Sequence, residues 1–161
     1  MKTLILMRHA SAEPRENDHH DLERPLSKKG RRTSKQTGKS MKAYANLPQK
    51  VYASFARRAS QTARRVVKQL DNQAEITLRE DLYLAEPQAF VDVLHEVPDE
   101  VDCVMLVGHN PGMREFLQML TDTVLRFPKS TVAYISLPYD SWQQVSLASR
   151  GELDALLSLH D

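Results

Sequence analysis

The chain has 161 residues, 41% of them hydrophobic and 27% charged, with 22 basic and 21 acidic side chains and a formal net charge of +1. That length suits one domain with its own core, expected to span residues 1–161, and the composition argues against wholesale disorder. Near-neutral charge argues against a general nucleic-acid footprint, and no apolar run approaches the length of a membrane span.

Thr3 to Met7 is a short apolar run that reads as a strand buried on both faces. It is too short for a signal h-region, so a soluble cytoplasmic protein is expected. Residues 10–26 are polar, carry Pro14 and Pro25, and read as a loop or lid. Ser27 is placed to cap a helix running to about Ala45, with Gly30, Thr33, Thr37, Met41 and Tyr44 on one face. Its cations Lys28, Lys29, Arg31, Arg32 and Lys35 read as a solvated face, the alternative being a docking surface for an acidic protein. Val51 to Ser54 is a second strand and Ala59 to Leu70 a second helix. Ile76 to Leu78 is a minor extended segment, and Pro87 opens a helix carrying Phe90, Val91, Val93 and Leu94.

Val101 to Val107 is the strongest strand, after which Asn110 and Pro111 start another helix. Thr131 to Leu137 and Trp142 to Ala148 alternate like two antiparallel strands joined around residues 138–141. This order implies an α/β fold, a three-layer α/β/α sandwich around a mixed, mostly parallel sheet. The single cysteine, Cys103, sits in an apolar run with Val101, Val104 and Met105 and reads as a buried structural thiol in a reducing compartment.

Three short segments share one context. Arg8-His9 follows the first strand, Arg57-Arg58 follows the second, and Gly108-His109-Asn110-Pro111-Gly112 follows the strongest. In α/β sheets, ligands bind at the carboxyl ends of the strands, where helix N-termini offer free N–H groups. The three segments therefore converge on one pocket, and two histidines with two arginines describe an anion site. Phosphate suits it, because guanidinium forks match phosphate oxygens and keep their charge. An imidazole among arginines is biased toward its neutral, nucleophilic form. Attack on phosphorus would give a phosphohistidine, with the arginines stabilising the equatorial oxygens. Singly, each residue has a plainer reading: Arg8-His9 is a weak signal, His109 could hold a turn, and Arg58 could lie on the surface.

The segments 6–10, 54–63 and 107–112 resemble, in order, the signature blocks of the histidine phosphatase superfamily, which also contains the phosphoglycerate mutases. The short length and the Arg24-Pro25-Leu26-Ser27 to Gly30-Arg31-Arg32 segment resemble its SixA-type phosphohistidine phosphatase branch. The resemblance implies a phosphoglycerate mutase-like fold. It also implies His9 as the phosphorylated nucleophile and Arg8, Arg58 and His109 as ligands of the phosphoryl group, with Ser54 and Asn110 shaping the pocket. Arg57 falls at an unspecified position of its block. Two positions depart from the pattern: Ala10 replaces a glycine, and Phe55 replaces a proline and could add an apolar wall.

Larger members place a general-acid glutamate after the second helix, where this chain has Glu80, Asp81 and Glu86. Glu86, just before Pro87, is the best placed, its plainer reading being a carboxylate at a helix N-terminus. The SixA-type branch implies no such acid, since an imidazole leaves phosphorus more readily than an alkoxide. The implied activity is a cofactor-independent phosphatase acting on phosphohistidine in a signalling or phosphorelay protein, of histidine phosphotransfer or phosphocarrier type. The alternatives are a broad phosphatase for small phosphoesters and a non-catalytic phosphoprotein-binding module.

His19 and His20 with Asp18 and Asp21 invite a metal reading, but neighbours in a polar loop seldom face one ion, so a solvated loop is favoured. Asp18 or Asp21 could instead border the pocket mouth. His95 and His160 read as structural or exposed. No glycine-rich nucleotide loop is present, and no metal, cofactor, nucleic acid or membrane partner is expected.

Overall fold

A computed structural model describes residues 1–15, 20–44 and 46–159. Six strands form one sheet: β1 (Lys2–Arg8), β2 (Lys50–Ser54), β3 (Glu75–Arg79), β4 (Cys103–Gly108), β5 (Val132–Leu137) and β6 (Glu152–Leu157). Their spatial order is β3-β2-β4-β1-β5-β6; β3, β2, β4 and β1 run parallel, and β5 and β6 add antiparallel pairings. The helices are α1 (Lys28–Met41), α2 (Arg57–Gln69), α3 (Pro87–His95) and α4 (Gly112–Thr121).

The layers follow from the period-2 alternation of the strands. In β1, Ile5 and Met7 face a core with Met41 of α1 and Ala59, Ala63 and Val66 of α2. Leu4 and Leu6 face a second core with Phe90 and Leu94 of α3 and Phe116 and Leu120 of α4. The fold is thus the expected three-layer α/β/α sandwich around a mixed, mostly parallel sheet.

Ser27 does cap α1, accepting a hydrogen bond from the Gly30 amide at 3.0 Å. The helix ends at Met41, earlier than expected, and Tyr44 beyond it stacks on Tyr134. Ala45 lies outside the described residues. The minor segment at Ile76 to Leu78 is a full edge strand, β3, parallel to β2. Cys103 is buried, which pushes its thiol up to about 12, as befits an unreactive structural residue.

The expected C-terminal hairpin needs correction. Trp142–Gln144 is a 3₁₀ turn with Ser141 as its cap, and the buried Trp142 indole donates to the Val101 carbonyl at 2.6 Å. Burying that large ring against the α3 side takes the segment out of any ladder. The strand that pairs with β5 is β6, whose residues alternate exposed and half-buried along the sheet edge.

Candidate active site

The register lines up the carboxyl ends of three parallel strands. Arg8 pairs with Gly108 across β1 and β4, and Ala53 pairs with Val107 across β2 and β4, so His9, His109 and Ser54 emerge side by side. Backbone bonds clamp the first of these: the His9 amide donates to the Gly108 carbonyl at 3.1 Å, and the Ser130 amide donates to the Arg8 and His9 carbonyls at 3.2 Å.

Helix α2 holds the chain beyond His9. Thr62 Oγ1 accepts from the Ala10 amide at 3.1 Å, and Gln61 Oε1 accepts from the Leu26 amide at 2.8 Å. The polar pair of the Ser54–Ala63 block thus fixes both arms of the loop after β1. The first turn of α1 completes the clamp. At Gly30 an added Cβ would stand 1.9 Å from the Ser11 carbonyl oxygen, so only glycine allows that approach.

These elements enclose a cavity of about 550 Å³, lined by Arg8, His9, Arg58 and His109 together with Arg15, Asp21, Arg24, Tyr83, Leu84, Asn110 and Lys129. The four residues that the sequence brought to one pocket do meet there. The His9 and His109 rings lie 5.1 Å apart, and both residues are buried. Among the described residues five cations face a single carboxylate, that of Asp21.

Hydrogen bonds assign the tautomers. His9 Nδ1 lies 2.8 Å from the Ala10 carbonyl, which can only accept, so Nδ1 carries the proton and Nε2 the lone pair. Arg58 Nη2 donates to His109 Nδ1 at 3.4 Å, which leaves Nε2–H of His109 to donate to Ser54 Oγ at 2.8 Å. Burial is the main cause holding both rings neutral, assisted by nearby positive charge, and their pKa values fall to about 3 for His9 and about 4 for His109.

Arg8 Nη1 donates to the Phe127 carbonyl at 3.3 Å, while its buried Nε–H has no acceptor among the described residues. Such a donor in a cation-lined cavity is suited to an anion's oxygen. Asn110 acts as a brace as well as lining the cavity. Its Nδ2 donates to the same Phe127 carbonyl at 2.8 Å, and its Oδ1 accepts from the Arg114 amide in the first turn of α4. Arg57, the first residue of α2, is exposed and does not line the cavity, whereas Arg58 is buried and does.

Glu86 is not brought to the cavity. It is exposed at the N-terminus of α3, whereas Leu84, two residues earlier and in the left-handed region (φ 47°), lines the cavity. Among the described residues the carboxylate that lines the cavity is that of Asp21, held by Arg58 and Arg24 and by the Tyr83 hydroxyl. The sequence marked Asp21 only as a candidate for the mouth, and it gave no signal for Tyr83. Of the remaining metal-reading residues, His20 is exposed and Asp18 and His19 lie outside the described residues, as does His160. His95 Nε2 pairs with the Val145 carbonyl. Phe55 is partly exposed, with its ring edge-on to Tyr83 at 5.9 Å.

Residues 4–102 match the sequence profile of the Histidine phosphatase superfamily (branch 1). The chain belongs to that superfamily. Histidine phosphatase relatives of this length share its fold closely. A candidate phosphohistidine phosphatase SixA from Agrobacterium tumefaciens superposes with a TM-score of 0.84 at 23% identity, covering 98% of each chain. A second, from Nakamurella multipartita, gives 0.82 at 25% identity, covering 98% of this chain and 95% of the other. The protein histidine phosphatase SixA complexed with tungstate gives 0.80 at 21% identity, covering 97% and 96%. Among curated sequences, an uncharacterized protein of Mycobacterium leprae is 28% identical over 156 residues, covering 89% of this chain and 94% of its own length. Phosphatase activity and a SixA-like fold are therefore properties of this histidine phosphatase.

Proposed function

We propose that the protein is a phosphohistidine phosphatase that works through a phosphorylated His9. The observation that carries this reading is the tautomer of His9: a buried neutral ring whose Nδ1–H is engaged by Ala10, leaving Nε2 as the nitrogen with the lone pair amid arginines. In the first step His9 Nε2 attacks phosphorus and the bond from phosphorus to the substrate's imidazole nitrogen breaks. The departing imidazole keeps the proton it carried on its other nitrogen and takes the bonding pair back as a lone pair on the first, so it leaves neutral with no proton supplied by the enzyme. In the second step water attacks phosphorus, the bond to Nε2 breaks, and inorganic phosphate departs. Arg8 and Arg58 hold the phosphoryl oxygens through both steps, where preorganised donors gain most from charge developing in the transition state, and His109, whose N–H is given to Ser54, seats the Arg58 guanidinium through Nδ1. Ser54 holds the His109 ring, and Asn110 braces the Arg8 side of the pocket.

The leaving group narrows the substrate. The carboxylate that lines the cavity among the described residues, Asp21, is engaged by two arginines and a tyrosine and stays ionised, so it has no proton to give. A site with that composition suits an imidazole better than an alkoxide. The rim favours a protein as carrier, of histidine phosphotransfer or phosphocarrier type: Arg15, Arg24 and Lys129 line it beyond the two arginines nearest the histidines, and Leu84 is 55% exposed beside them. Crowded positive charge at this rim shows in Lys129, whose pKa is lowered by burial and then by Arg8 and Arg24. Likeness to the tungstate-bound SixA is consistent with an oxyanion in this cavity. A role in a signalling or phosphorelay pathway follows from such a substrate.

Purified protein offered a histidine-phosphorylated phosphotransfer domain and, separately, phosphoserine is expected to hydrolyse the first at least about 100-fold faster, the scale of one missing proton-transfer catalyst. Faster hydrolysis of phosphoserine would favour a small phosphoester substrate, and tight binding without turnover would make the protein a reader.

A further inference from the structure

Arg58 sits at the centre of a short chain of side chains. Its Nη2 donates to Asp21 Oδ2 at 2.9 Å and to His109 Nδ1 at 3.4 Å, and its Nη1 donates to the Asp21 backbone carbonyl at 2.8 Å. Asp21 therefore grips this guanidinium twice, once through its side chain and once through its backbone. The same carboxylate receives Tyr83 Oη–H on Oδ2 and Arg24 Nη1 on Oδ1, the latter at 3.0 Å. Arg24 is tied in turn to the first arm of the loop, donating from Nε to the Glu13 carbonyl at 2.8 Å. The Tyr83 ring meets the His109 ring edge-on at 5.4 Å, so Asp21 and His109 are both braced by one tyrosine.

A carboxylate in a phosphatase pocket could be a proton donor, a base, or a fixture. Burial would raise its pKa, but the hydrogen bonds from Tyr83, Arg24 and Arg58 outweigh burial and hold it well below the usual carboxylate range. An acid that weak in proton affinity neither donates near neutrality nor abstracts a proton well. What remains is geometry. A guanidinium among like charges, with Arg8 and Lys129 on the same cavity, is repelled from the position it must hold, and a fixed anion behind it offsets that repulsion.

We propose that Asp21 is a positioning residue, which fixes the guanidinium of Arg58 against His109 for phosphoryl transfer and takes no part as acid or base. The proposal rests on the reading of Arg58 as a phosphoryl ligand. It also assigns a task to the segment 20–26: Asp21 binds the loop to Arg58 on the pocket wall, and Arg24 ties Asp21 to the first arm of the loop.

The test is a double-mutant cycle on the full chain with two substrates, 4-nitrophenyl phosphate and phenyl phosphate, whose leaving groups differ in basicity. Asp21→Asn is expected to lower kcat/KM by about 10- to 100-fold, the scale for a misplaced group near the chemistry, and by the same factor on both substrates. In an Arg58→Ala background the same change is expected to cost less than about threefold, because the group it positions is gone. Tyr83→Phe, which leaves the carboxylate in place, is expected to give a smaller loss with the same two features, and serves if Asp21→Asn fails to fold. A loss confined to phenyl phosphate would make Asp21 an acid and overturn the proposal. An undiminished loss in the Arg58→Ala background would overturn it too, by showing that Asp21 acts independently of Arg58. Failure of the underlying reading looks different: Arg58→Ala alone would then leave both rates unchanged.

Discussion

His9 and His109 are neutral for the same main reason, burial, and that has a consequence for stability. Their pKa values in the folded chain are about 3 and about 4, while an unfolded histidine titrates near 6.5. Between those values the unfolded chain binds protons that the folded chain does not. Stability therefore rises with pH across this window and falls as the pH is lowered through it. Asp21 acts in the same direction at lower pH, since its depressed carboxyl is protonated more readily once unfolded. Chemical denaturation between pH 7 and 5 is expected to show wild type losing stability more steeply than His9→Gln, which has no proton to take up. Parallel curves would mean that His9 titrates normally in the folded protein. The two arginines of the Arg57-Arg58 pair are separated in the same spirit: the buried one lines the cavity and its exposed neighbour does not. On the proposed function Arg58→Ala costs on the order of 100-fold in rate, as for loss of one preorganised donor, and Arg57→Ala costs little.

At the scale of elements, the sheet and its helices were legible because their signals are local: apolar runs, a serine cap, a proline at a helix start. Positions that depend on what packs across the molecule were not. The segment from Trp142 alternates like a strand, but tertiary burial of Trp142 overrides the alternation, and Glu152–Leu157 takes the edge. Nor does sequence show that Tyr83 would reach Asp21, 62 residues away, since the contact depends on the turn at Leu84 and the loop after β1. By contrast, His9, Arg58 and His109 were readable because strand ends place them, and strand ends were clear. Helix α4 gives a test at this scale. At Gly112 an added Cβ would stand 1.7 Å from the Ala85 carbonyl oxygen, a backbone atom that cannot swing aside. Gly112→Ala is expected to destabilise the protein by about 1–3 kcal/mol, as overpacking does, and to slow catalysis by displacing the segment that carries Tyr83. A thermal melt indistinguishable from wild type would show that α4 slides to make room.

Over the whole molecule, near-neutral charge conceals a strong local field. The 22 basic and 21 acidic residues almost cancel, yet among the described residues five cations and one carboxylate line the cavity. Among the described residues no helix is long and apolar enough to cross a membrane. The fold gathers the ends of β1, β2 and β4 at one edge, and the local field is the result of that convergence rather than of composition. The central claim is that this field serves a histidine nucleophile. The most direct measurement is to quench turnover of a phosphohistidine protein at alkaline pH within the first enzyme cycle and map the phosphate on the enzyme by mass spectrometry. The account predicts acid-labile phosphate on His9 and none on a folded His9→Ala protein, which is also inactive. Normal turnover by that variant, or phosphate trapped on another residue with His9 unmodified, would contradict it.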